Sequence, residues 1–64
     1  MTAKKTLQER EKELRSFLTT PAGRAELEVL EARYSAASGR WRPEGASLIT
    51  YILVYERERG MVRV

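Results

Sequence analysis

Nine glutamates carry every side-chain carboxylate of this 64-residue sequence, which contains no Asp, Asn, His or Cys. Acid–base chemistry would rest on Glu, Lys or Tyr, and nucleophilic chemistry on Ser, Thr, Tyr or Lys with no imidazole to activate them. Glu9, Glu11, Glu13, Glu26, Glu28 and Glu31 stand in helical-looking stretches beside basic residues, as surface ion-pair partners do. None falls on an apolar stripe, so no inward-facing carboxylate cluster for a metal is expected, and thiolate and imidazole ligands are absent. Neither a dinucleotide-binding glycine motif nor a phosphate-binding loop occurs. Thr20-Pro21-Ala22-Gly23-Arg24 sets a glycine, an arginine and free amides at a helix start, a place suited to anions. Simple capping accounts for the same residues. The sequence therefore reads as a non-enzyme that needs no cofactor, metal or small-molecule substrate.

Two stretches carry recognition chemistry instead. Arg40-Trp41-Arg42 encloses the single tryptophan between two arginines, just before Pro43. The indole can cover one end of the core while the arginines reach solvent. Alternatively, Arg40 and Arg42 meet phosphate or carboxylate while Trp41 stacks on a base or fills a pocket. The second stretch is residues 48–55, apolar or aromatic apart from Thr50. Its candidate protein-contact residues are Leu48, Ile49, Tyr51, Ile52, Leu53 and Tyr55.

Punctuation divides the chain into three segments that must position these residues. Good helix formers dominate the first, with opposite charges at helical spacing: Lys5 with Glu9, Glu9 with Lys12, Glu11 with Arg15. A helix over about 4–18 is expected, with a thin stripe of Ala3, Leu7, Leu14, Phe17 and Leu18, interrupted at Arg10 and Glu11. Thr20 as N-cap and Pro21 at the first helical position begin a second helix, 21–38, which Gly39 ends. Its stripe is Leu27, Leu30, Tyr34 and Ala37, with Val29 on the flank. Pro43 and Gly45 mark 40–46 as a loop. Ser47 as N-cap and Gly60 followed by Met61 and Val62 frame a third helix over 47–59, with a short extended tail beyond. On this reading Thr50 and Arg57 share one narrow polar face. β-branched and aromatic content supports the alternative, an α+β fold in which 48–55 and 61–64 form a β-hairpin against a helical pair.

A chain of this length is one domain, 1–64, and a domain so small buries only about 60% of the surface its unfolded chain exposes. With disulfides and metals unavailable, packing or association must supply its stability. Two thin-striped helices are expected to leave part of 48–55 uncovered, which makes a homodimer or a larger protein partner the simplest expectation. The residues before Arg15 are charged throughout and no apolar run approaches the roughly 20 residues of a membrane span, so a cytoplasmic protein without membrane contact is expected.

The formal net charge is +3, with seven basic against six acidic groups up to Gly39 and five against three beyond it. This mild excess suits a polyanion without requiring one. The run from Ser47 to Val64, a helix followed by glycine, two apolar residues and an arginine, resembles the end of a winged-helix unit. That resemblance implies nucleic-acid binding through Arg40, Trp41, Arg42 and Arg57. A long second helix, a wide loop and only Thr50 and Arg57 facing outward depart from the pattern. The leading expectation is a small, mainly α, non-enzymatic interaction or dimerisation module, with a basic nucleic-acid-binding protein as the alternative.

Overall fold

A computed structural model describes residues 4–63. Three helices pack on one another: α1 (Leu7–Phe17), α2 (Pro21–Ser38) and α3 (Leu48–Glu58). The mainly α expectation holds, and 48–58 is helical rather than half of a hairpin.

Each helix begins at a side-chain cap. Thr20 accepts the Gly23 amide at 3.0 Å and Ser47 accepts that of Thr50 at 3.0 Å. α1 starts three residues later than the charge pattern suggests. Thr6 accepts the Glu9 amide at 3.2 Å while the Glu9 carboxylate accepts the Thr6 amide at 3.3 Å, a reciprocal capping box. Glu9 is thus drawn to Thr6, and Lys5 pairs with Glu13 instead. The anticipated Glu11–Arg15 pair does form, at 2.9 Å. Ala3, at the head of the expected stripe, and Val64, at the end of the tail, lie outside the described residues.

The turn from α1 to α2 is tight. A Cβ on Gly23 would stand 2.2 Å from the Phe17 carbonyl oxygen, so only a residue without one lets the two backbones approach this closely. Gly23 is therefore a packing residue with its amide already capped. α2 ends at Gly39 in the left-handed region, φ 76°.

The end of α3 redirects the chain. Met61 N–H donates to the Glu56 carbonyl at 2.8 Å and Gly60 N–H to that of Arg57 at 3.1 Å. This is the paired terminus anticipated from Gly60-Met61-Val62, with Gly60 at φ 69°. It returns Val62 to the core and lays Arg63 beside the start of α1. Leu7 N–H donates to the Arg63 carbonyl at 2.7 Å and Arg63 N–H to that of Lys5 at 2.9 Å, a single parallel bridge. Of the expected extended tail, Met61 and Val62 are bends and only Arg63 pairs, with the N-terminal segment rather than back on α3 as a wing or hairpin would.

The core is Leu14, Leu27, Tyr34, Ile49, Ile52 and Tyr55, with Phe17, Leu30, Leu48, Tyr51 and Leu53 packed against it. Full burial of each leucine or isoleucine contributes about 1.5–3 kcal/mol. Two stripe assignments are corrected. Leu18 is exposed because α1 ends before it, and Ala37 is exposed because α2 turns Ser35 inward instead, to meet the Tyr51 hydroxyl at 3.2 Å.

Candidate interaction surface

α3 packs on both other helices, so its two sides are not equivalent. Ile49, Ile52, Tyr55 and Glu56 face the core. Thr50, Val54 and Arg57 face out, at spacings of four and three, and form a ridge along the helix. Grooves flank this ridge. One, of about 210 Å³, lies between α3 and the 40–46 loop, with Trp41 and Pro43 on one wall and Tyr51, Val54 and Tyr55 on the other. The second, of about 200 Å³, lies between α3 and α1, among Leu7, Ile49, Leu53 and Val54. Thr50 and Val54 border both.

Trp41 does not roof the core; it is 75% exposed. Two constraints turn the indole outward. The left-handed Gly39 swings the chain off α2, and Tyr51 Oη donates to the Arg40 carbonyl at 3.2 Å, which pins the loop backbone against α3. A turn closed by Ala46 N–H to the Pro43 carbonyl, 3.1 Å, then leads into α3. The two arginines diverge. Arg40 approaches Glu58 at 3.5 Å, on the rim of the groove, and Arg42 approaches Glu31 on α2 at 3.4 Å.

The candidate residues sort accordingly. Arg40, Trp41, Tyr51 and Tyr55 meet at the first groove, and Ile49, Leu53 and Arg57 at the second. Leu48, Ile52 and Arg42 border neither. Ile49, Ile52 and Tyr55 are core residues, so the segment is covered within the chain more fully than thin stripes imply. Part of the cover comes from Tyr34, whose ring stacks on that of Tyr55 at 3.9 Å between centroids and 7° between planes. Val54, 37% exposed, is the apolar residue of α3 left most open, and it was not among the candidates. Its spacing from Thr50 and Arg57 was the available signal.

A second cluster went unanticipated. Glu56, at the head of the charged run Glu56-Arg57-Glu58-Arg59, is buried, with its side chain 3% exposed. Arg10 donates to it through Nε at 2.9 Å and Nη2 at 3.0 Å, a two-pronged grip, and Tyr34 Oη donates to Oε2 at 3.0 Å. Arg10 also pairs with Glu13, which Lys5 reaches from the N-terminal segment. The hydrogen bond to Glu56 raises the Arg10 pKa above its usual value. Burial, then the charge of Glu56, raise that of the Tyr34 hydroxyl. Among the described residues every buried side-chain nitrogen and oxygen has a partner. Through Arg10, Tyr34 and Glu56 the cluster ties α1, α2 and α3 together. Beside it the Arg59 guanidinium lies 3.9 Å from the Tyr55 centroid, on the face opposite Tyr34, since two groups at that distance cannot share one face.

Among the described residues no group of three or more acidic, His or Cys side chains could hold a metal ion, and no helix is long and apolar enough to cross a membrane. No protein-family model, curated protein or solved structure matches the chain.

Proposed function

We propose that the protein is a small, cytoplasmic, non-enzymatic interaction module whose contact surface is the outward ridge of α3 with its two grooves and the Trp41 loop. The observation that carries this reading is the exposed indole at the lip of an apolar groove. Aromatic and Arg residues around a pocket are the commonest anchors of protein interfaces, and apolar patches on small domains mark contact sites. Tyr51 and the turn at Pro43 fix the backbone on either side of Trp41, so little backbone freedom is lost on binding. The absence of His, Cys and Asp supports a role without catalysis.

Nucleic-acid binding through Arg40, Trp41, Arg42 and Arg57 is the alternative. The net charge favours it, but Arg40 and Arg42 each face a carboxylate, which lowers the positive potential available to phosphate. A steep loss of duplex binding with salt is its signature.

The test is a photoreactive phenylalanine analogue placed in the cell at position 41, 54 or 32. Ala32 is exposed on α2 and borders neither groove. Protein adducts at 41 and 54 but not at 32 are expected. No adducts, or equal labelling at all three positions, would refute the assignment.

A further inference from the structure

We infer that the partner on this surface is a second copy of the same chain, packed about a two-fold axis that sets the α3 ridge of each copy into a groove of the other. The inference rests on the interaction reading above and adds the identity of the occupant. Three features select it.

The first is shape. Thr50 and Val54 form a ridge that borders a groove on either side. Helices associate by placing ridges into grooves. A surface that carries both side by side can give and receive the same contact, which an isologous two-fold interface requires. Trp41, at the outer wall of one groove, then leaves solvent in both copies at once.

The second is charge. Arg15, Arg40 and Arg57 border the grooves together with Glu11 and Glu58. Arg15 already faces Glu11 at 2.9 Å and Arg40 faces Glu58 at 3.5 Å. With four of these five charges paired inside the chain, the rim carries an excess of one positive charge and meets its own image with little repulsion. A polyanion would be set against Glu11 and Glu58, and a strongly basic partner against the three arginines.

The third is size. A stable interface takes about 800 Å² from each partner. That is about one sixth of the 4799 Å² exposed here, and the ridge with its grooves draws on α1, α3 and the loop between α2 and α3. A domain this small has little core of its own, so burial between copies adds what the single chain lacks.

Sedimentation from the low to the high micromolar range tests the inference. The wild type should pass from 7.4 kDa to twice that mass, with a concentration-dependent blue shift of Trp41 emission. Val54→Arg and Trp41→Ala should remain monomeric across the range while keeping the helical circular dichroism of the wild type. Trp41 is exposed enough that its loss leaves folding intact, so the test stands even where Val54→Arg does not fold. Because the chain has no cysteine, Thr50→Cys treated with a flexible bis-maleimide should give a covalent dimer, and Ala32→Cys should not. A wild type that stays at 7.4 kDa, or a dimer that survives both ridge and loop substitutions, would overturn the inference. In the first of these cases, photo-adducts to a different protein at 41 and 54 leave the interaction surface standing and remove only the second copy. Loss of the adducts as well removes both readings.

Discussion

Replacing Glu56 by alanine removes the acceptor of three hydrogen bonds and strands a guanidinium whose side chain is only 18% exposed. Each bond to a charged group is worth about 1.5–3 kcal/mol, but the three share one carboxylate and do not add. Breaking a buried pair from one side costs about 3–5 kcal/mol, because the remaining charge is left without compensation. Arg10 keeps Glu13 and some solvent, which places the expected loss near the lower end, about 3 kcal/mol. A 64-residue domain has roughly 3–10 kcal/mol of stability in total, so a large part of it goes with this one side chain. The melting midpoint should fall by roughly 10–25 °C. Urea unfolding followed by helical circular dichroism measures the loss, with Glu11→Ala as the control. Glu11 serves an exposed pair, so its removal should cost less than about 1 kcal/mol. The sharper measurement is the triple replacement Arg10→Met, Tyr34→Phe and Glu56→Leu. With charges and hydroxyl removed together, no polar group is stranded, and most of the stability should return. A Glu56→Ala loss below about 1 kcal/mol would refute the reasoning, because it would mean that water reaches the pair freely.

Gly23→Ala should destabilise the protein, although alanine is the better helix former by about 1 kcal/mol, because the new Cβ meets the Phe17 backbone; a raised melting midpoint would contradict this. Tyr34 should give the protein a base-sensitive limb. Its folded pKa is raised above the unfolded value of about 10, so its contribution is complete below that pH and is lost as pH rises through the folded value. Above about pH 10 the wild type should therefore lose stability faster than Tyr34→Phe in parallel urea titrations, and identical slopes would count against the buried hydroxyl. Trp41→Ala should move the melting midpoint of the dilute protein by no more than about 0.5 kcal/mol equivalent, as for other exposed positions; a loss of several kcal/mol would return the indole to the core.

The helix ends were legible because their signals are local. Thr20-Pro21, Gly39, Ser47 and Gly60 each act within four residues, and each does in the structure what its type implies. The start of α1 was misplaced because Lys5 and Glu9 are spaced equally well for a helical ion pair, while the competing claim on Glu9 comes from Thr6 and the claim on residues 5–7 from Arg63. Glu56 was illegible by its company. It stands among alternating charges that look like a solvated last turn, and its partner lies 46 positions away. Two faint marks were present. Arg10 interrupts the stripe between Leu7 and Leu14, and Glu56 continues the buried spacing from Ile49 and Ile52. A charge on the apolar stripe of each of two helices is what a buried pair leaves in a sequence. The direction of Trp41 depended on a hydrogen bond from Tyr51, ten residues away, which no local pattern announces.

The bridge between the start of α1 and the tail has a mechanical consequence. Its two segments run parallel, so the chain enters the pair at one end and leaves it at the other. Tension applied through the flanking residues, as in a tethered or translocating chain, would pull the segments past each other lengthwise. Both hydrogen bonds at Arg63 would then bear load together rather than open in turn, and Lys4, donating to the Gly60 carbonyl, would share it. A domain with little thermodynamic reserve would thus meet a pull along its ends with a shear clasp before any helix is stretched.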